Sequence, residues 1–228
     1  MLRVLKVVRL QLVNKQTYLW VPLIVLGGSL LVSILIYAMI PIDQPKYGGG
    51  SQAPLWAFLF VGIQALTMVF PFSQAMSVTR RDFYLGTLIT AMMTSVILGV
   101  VFILGGLFEL WTDGWGINGY FFHLPWVWES GPIGAGFIYA VLTMLIFIIG
   151  FTSATIYKSW GPLVLLITSF ALVLILLGLV FLVTRLELWG QVWMGILDLG
   201  ALGLALWGLV AIVVMAGVSF LAFRRTIP

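Results

Sequence analysis

The chain has 228 residues, of which 62% are hydrophobic and only 8% charged, with a net charge of +4 and a mean hydropathy of +1.18. A soluble domain carries about 25% charged residues, so this composition excludes a water-facing surface over most of the molecule. The absence of cysteine excludes disulfide and thiol chemistry. The apolar runs are continuous for about 20 residues, the length that crosses a hydrocarbon core. They do not alternate as barrel strands would, and in lipid only helices or closed barrels satisfy the backbone. The expectation is an all-α integral membrane protein, a single domain over 1–228.

The first predicted element is amphipathic. In "MLRVLKVVRLQLVNKQ", Arg3, Lys6 and Arg9 fall on one side of a helix and Leu5, Val8 and Leu12 on the other. A helix over 1–17 lying in the membrane interface is expected, its cations near anionic lipid. Six spans follow, at about 20–40, 55–72, 84–108, 132–151, 162–184 and 200–223. Trp20–Ile40 is too long for the apolar region of a cleavable signal, and no small-residue cleavage site follows it. Pro22, Pro132 and Pro162 stand in first turns, where the missing N–H costs little. Pro41, Pro45, Pro54, Pro71 and Pro125 are assigned to ends or loops.

Six spans put both termini on one side. That side carries Arg3, Lys6, Arg9, Lys15, Arg80, Arg81, Lys158, Arg224 and Arg225, whereas the other carries Lys46 and Arg185. By the positive-inside rule the termini are expected in the cytoplasm, in the plasma or inner membrane of a bacterium. With one exception, the acids Asp43, Glu109, Asp113, Glu129, Glu187, Asp198 and Asp82 fall on or near the outer side. The exception is Asp82.

Catalytic chemistry is poorly supplied. The lone histidine, His123, lies in an aromatic outer loop, and no His, Cys or carboxylate cluster has metal-ligand spacing. "KYGGGSQ" lacks the G-K-[ST] ending of a phosphate loop. No enzyme activity, bound cofactor or nucleic acid is expected of this chain. The loop "FELWTDGWGINGYFFHLPWVWESGP" reads as an aromatic belt at headgroup level, or as a cap over an exit path. The first five spans hold no charged residue, which counts against an ion-coupled transporter. Asp198, Gln64 and Thr143 are the polar candidates for a translocation path, Asp198 more simply being interfacial. Gly136/Ala140 and Ala201/Ala205 have the small-residue spacing of close helix packing.

"MSVTRRDFYLGT" at 76–87 puts charge between two apolar runs. Thr79 and Asp82 have the spacing of a capping box, so a new helix is expected to begin at Arg80. Residues 73–79 are the expected link. Arg80 and Arg81 would anchor the topology or face a partner.

Ser77-Val78-Thr79-Arg80-Arg81-Asp82-Phe83-Tyr84, with the preceding "FPFSQAM", resembles the loop after the second span in permease subunits of ATP-binding-cassette (ABC) transporters of the type-2 exporter class. Ser77 stands where glycine is more usual. The six spans, the amphipathic N-terminal helix and "YKSWG" at 157–161 extend the likeness over the chain. Its outer loops depart from the family, since the hairpin before the last span is short here. The resemblance implies two separate cytoplasmic ATPase subunits carrying ATP and Mg, and a second permease chain, identical or paralogous. It implies an ATPase contact through Ser73, Ser77, Thr79, Arg80, Arg81, Asp82, Phe83 and Tyr84, with Tyr157, Lys158 and Trp160 as a secondary one. The alternatives are a non-transporting membrane scaffold or assembly subunit and, further off, a channel or secondary transporter.

Overall fold

The computed structural model describes residues 2–223, with side chains from Val4 onward. Arg224, Arg225 and the side chain of Arg3 lie outside the described residues. The protein is an all-α bundle with six helical spans long and apolar enough to cross a membrane. They are Gln16–Met39, Gly49–Ala75, Arg80–Trp111, Gly131–Trp160, Pro162–Arg185 and Trp189–Phe223. Ahead of them lies helix α1, Leu2–Val13.

The first span is a π-helical turn, Gln16–Trp20, continuing into α2, Val21–Met39. The second opens with a 3₁₀ turn, Gly49–Gln52, followed by α3, Ala53–Gln64, a π-helical stretch, Ala65–Val69, and α4, Phe70–Ala75. Pro71 is therefore inside a continuous helical run rather than at its end. It follows the irregular stretch directly, where the i−4 bond that proline cannot make is already disturbed. The remaining spans are α5, Arg80–Trp111; α7, Gly131–Trp160; α8, Pro162–Arg185; and α9, Trp189–Phe223. A short α6, Pro125–Trp128, precedes α7. Strands β1, Lys46–Tyr47, and β2, Gly119–Tyr120, pair in parallel between two loops.

Helix α7 is central, packing on α3, α5 and α9. Lipid tails are as apolar as leucine, so close backbone approach replaces the hydrophobic drive between spans. Glycines create that approach. A Cβ at Gly62 would run into the carbonyl of Phe147, and one at Gly150 into that of Leu59. A Cβ at Gly99 would meet the carbonyl of Gly136 at 2.5 Å and Ala140 at 3.2 Å. The Gly136/Ala140 spacing thus serves the α5–α7 crossing, and Ala201 and Ala205 are likewise buried within the chain.

Helix α5 turns small and polar residues inward. Thr87, Thr90, Thr94, Ser95 and Gly99 are buried, while Met92, Val96, Ile97, Val100 and Leu104 are exposed to the lipid side. Thr90 and Thr94 give their hydroxyls to the carbonyls of Gly86 and Thr90, at 2.9 Å each. At 32 residues α5 is about 48 Å long, well beyond a hydrocarbon core of about 30 Å. Its two ends therefore reach interfacial depth. Helix α8 has no buried residue.

Helix α1 packs across α5. Its buried face is Val7, Val8 and Gln11, whereas Leu5, expected on the apolar side, is 55% exposed. The register is set by Gly86, where a Cβ would strike Val7 at 2.6 Å, and by Gln11, whose Nε2 donates to Thr87 Oγ1 at 2.7 Å.

Candidate functional site

The two ends of the bundle differ in charge. One end gathers α1, the α4–α5 turn, the α7–α8 turn and the last turns of α9. It carries Lys6, Arg9, Lys15, Arg80, Arg81 and Lys158 against Asp82. The opposite end gathers the loops around 40–52, 109–130 and 185–200, with Asp43, Glu109, Asp113, Glu129, Glu187 and Asp198 against Lys46 and Arg185.

At the basic end, helix α4 stops and α5 starts within four residues. Val78 N–H donates to the carbonyl of Ser73 (3.1 Å) and Ser77 N–H to that of Gln74 (3.0 Å). That is the bond pair of a Schellman stop, whose pivot residue adopts a left-handed backbone. Here the pivot is Ser77, at φ 58°. Glycine adopts this conformation without steric cost, which explains why it suits this position better than serine. Thr79 then caps α5, its hydroxyl accepting from Asp82 N–H at 3.1 Å and donating to the Asp82 carboxylate at 2.7 Å. The spacing Ser77-x-Thr79-x-x-Asp82 is thus a helix stop followed by a helix start. The link is shorter than expected, 76–79 instead of 73–79, because α4 runs on to Ala75.

Three of the expected contact residues face inward instead. Ser73 is fully buried and donates to the carbonyl of Phe70 at 2.7 Å. Phe83 is fully buried, its ring 5.1 Å from Phe70 and 6.1 Å from Phe223. Tyr84 is buried between Phe151 and Phe220, and its hydroxyl donates to the carbonyl of Ala216 at 2.6 Å. They belong to an aromatic core at this end, which needs apolar rings more than a docking surface does. Exposed are Ser77, Thr79 and Arg81; Arg80 and Asp82 are partly so. On the neighbouring turn Tyr157 and Trp160 are exposed and Lys158 is partly buried. The last turns of α9 join the two turns, since Ala216 accepts from Tyr84 and Ala222 from Ser159 (3.2 Å).

The path candidates do not converge. Thr143 is fully buried and gives its hydroxyl to the carbonyl of Tyr139 at 2.7 Å, so its polarity is satisfied within α7. Gln64 is partly buried at the end of α3, beside the π-helical stretch. Asp198 is exposed on the first segment of α9, two residues before a break at Gly200 (φ 61°, ψ 178°).

The opposite end holds a site that the sequence did not disclose. Glu109, expected in an outer loop, lies inside α5 and is fully buried. Its Oε1 accepts from Trp115 Nε1 (2.9 Å) and Phe121 N–H (2.8 Å), and its Oε2 from the N–H groups of Phe122 and His123 (both 2.8 Å). A buried carboxylate is tolerated when its lone pairs are filled in this way. The loop doubles back to deliver the donors through left-handed residues Asp113, Gly114, Trp115, Gly116 and Asn118. Phe122 and Trp128 then seat on Gly105 and Gly106, where any Cβ would collide with their rings. The loop is thus split in orientation: Phe121, Phe122 and Trp128 point inward, while Trp111 and Trp126 remain outward as a belt would require. The His123 ring lies 4.8 Å from that of Trp128. Burial pushes its pKa below the ordinary value, with the Glu109 charge opposing.

Among the described residues, no three or more His, Cys, Asp or Glu side chains are grouped to hold a metal ion. The arrangement offers two positioned features: an exposed basic turn braced by α9, and a cap latched by one carboxylate. Comparison with protein-family models, with curated proteins and with solved structures finds no match for this chain.

Proposed function

We propose that this chain is the membrane-spanning permease subunit of an ATP-driven exporter of the ABC type-2 class. Both termini and the basic end face the cytoplasm, in the plasma or inner membrane of a bacterium. A second permease chain, identical or paralogous, completes the path, and two ATPase subunits bind ATP and Mg. The observation that carries this reading is the exposed turn at Met76–Thr79 with Arg81, next to exposed Tyr157 and Trp160, all at the end where positive charge collects. Phe83 and Tyr84 act as the rigid stem of that turn instead of its contact surface. Closure of the ATPases moves the turn. The stem passes the movement to α9 through Tyr84 and Ala216, rocking the spans. Helix α8, in which no residue is buried, leaves a flank for the second permease chain.

The test is purification of the complex from its native membrane, followed by mass spectrometry of the copurifying chains. The expected result is an ATPase in about equal amount to the permease, together with a cytoplasmic C-terminus by reporter fusion. A chain that purifies with no nucleotide-binding partner overturns the reading. One observation favours a second one, a membrane scaffold without transport. The motif spacing is fully used by the helix stop at Ser77 and the helix start at Thr79, so it does not by itself require an ATPase.

A further inference from the structure

A groove of about 420 Å³ opens between the start of α5 and the end of α9, lined by Arg81, Tyr84, Leu85 and Phe220. We propose that it holds an anionic phospholipid of the leaflet met by the basic end, with the phosphodiester on Arg81 and one acyl chain along Leu85 and Phe220. This goes beyond the transport role and requires no ATPase.

Four observations converge on that occupant. Arg81 is exposed, and no described side chain or carbonyl holds its guanidinium. The nearest acid in sequence, Asp82, is engaged by Thr79. The floor is apolar: Leu85, one turn along α5 from Arg81, is 38% exposed, and the Tyr84 hydroxyl is already committed to Ala216. An apolar floor beneath a cation fits a headgroup with a chain attached and gives nothing to a free phosphate. Finally, the depth is right. Helix α1 crosses α5 at Gly86 and Thr87 with Lys6 and Arg9 exposed. Arg81 is five residues earlier, about 7.5 Å along the helix axis. An amphipathic helix with exposed cations lies at headgroup level, where each basic residue attracts anionic lipid. The guanidinium has five donors in a planar fork, so one edge can grip the phosphate while the other faces water beside the exposed turn.

The experiment uses the full chain, purified and delipidated in detergent. It is offered phosphatidylglycerol and phosphatidylcholine with identical acyl chains, and bound lipid is counted by native mass spectrometry. The wild type should retain phosphatidylglycerol over phosphatidylcholine. Arg81→Gln should cut that excess about fivefold, Arg81→Lys should keep most of it, and Leu85→Trp, which fills the groove, should lower retention of both lipids. Glycerol phosphate, the headgroup without chains, should not displace the bound lipid. Equal retention of the two lipids by the wild type overturns the proposal, as does an unchanged excess in an Arg81→Gln chain with wild-type thermal unfolding. Displacement by glycerol phosphate as effective as by phosphatidylglycerol marks a soluble-anion site and also overturns it. None of these outcomes depends on whether an ATPase partner exists.

Discussion

Tyr84 donates its hydroxyl to the carbonyl of Ala216 at 2.6 Å, across 132 residues of sequence, and so ties the second turn of α5 to α9. The ring adds contacts to Phe151, Phe220 and Phe223 at 5.7, 5.1 and 5.8 Å. These terms separate by substitution. Tyr84→Phe keeps the ring and removes the hydrogen bond, an expected cost of about 0.5–1.5 kcal/mol. Tyr84→Ala also opens a cavity, for an expected cost of about 3–5 kcal/mol. Thermal unfolding in detergent should rank the variants in that order. Equal and small losses would show that Tyr84 is a surface contact after all.

Glu109 offers a sharper contrast. Glu109→Gln is nearly isosteric, yet it removes the charge and turns an amide NH₂ toward N–H donors that need an acceptor. Hydrogen bonds to a charged group are each worth about 1.5–3 kcal/mol, so a net loss of about 3 kcal/mol or more is expected. The loss should concentrate in the loop that Glu109 holds. Limited proteolysis within 112–124, and a change in Trp115 fluorescence, should precede global unfolding. A variant with wild-type protection of that loop would show that the four hydrogen bonds are not what holds it.

Why was Glu109 hidden while the spans were plain? The spans are long apolar runs, and lipid permits few other structures for such a run. Apolarity ends at Phe108 but the helix does not, because a helix continues wherever its polar groups find partners. The partners of Glu109 come from residues 115–123 through five consecutive or near-consecutive positive-φ residues, a path that no local period encodes. The trace in the sequence was "DGWGIN", rich in residues that tolerate a left-handed backbone. Phe83 and Tyr84 were more legible than their assignment to a contact surface allowed. Phe83, Thr87, Thr90, Thr94 and Leu98 recur every three or four residues and form one buried stripe. Three of those five residues are threonines, so a search for apolar periodicity passes over the stripe. The Thr79 cap of α5 is legible in the sequence because a cap is local chemistry.

Ser77 carries a Cβ in a left-handed conformation, φ 58°, which costs an ordinary residue about 1–2 kcal/mol. Glycine relieves this but has more freedom in the unfolded chain, a counter-term of about 0.4–1 kcal/mol. Ser77→Gly is therefore expected to raise stability by up to about 1 kcal/mol. Ser77→Val, branched at Cβ, should lower it. The midpoint of thermal unfolding for the two variants checks the sign, and the opposite order would deny the strained pivot.

His123 makes the loop after α5 sensitive to acid. Its pKa is lowered in the folded protein, chiefly by burial, so the unfolded chain takes up the proton first. Stability is then full above the ordinary histidine pKa of about 6.5, falls as pH drops through that value, and levels off below the folded pKa. His123→Asn removes the titration. The wild type should lose more of its midpoint between pH 7.5 and pH 5.5 than this variant does. Identical losses would mean that the imidazole keeps its solution pKa.

The two arginines of the basic turn can serve as a topology anchor, as an ATPase contact, or as both, and charge reversal separates these tasks. Orientation depends on the total positive charge near the spans, and Arg3, Lys6, Arg9, Lys15, Lys158, Arg224 and Arg225 remain when Arg80 and Arg81 are changed. A double Arg80→Glu, Arg81→Glu chain should therefore insert as the wild type does. Thr79 and Asp82 still cap α5 and Phe83 still fills the core, and thermal unfolding of the reversed chain measures whether the fold stands. Docking responds differently. An exposed ion pair contributes about 0–1 kcal/mol, but a pair desolvated in a groove costs about 3–5 kcal/mol when one partner is lost. Reversal adds repulsion if the groove is acidic. The measurement is copurification of the proposed ATPase partner and its substrate-stimulated hydrolysis, after correct insertion has been confirmed by a reporter at the C-terminus. Weakened association or uncoupled hydrolysis is the expected outcome. If the reversed chain inserts correctly, retains its ATPase and transports normally, Arg80 and Arg81 are no ATPase contact. If it inserts in the opposite orientation, these two residues dominate the topology instead.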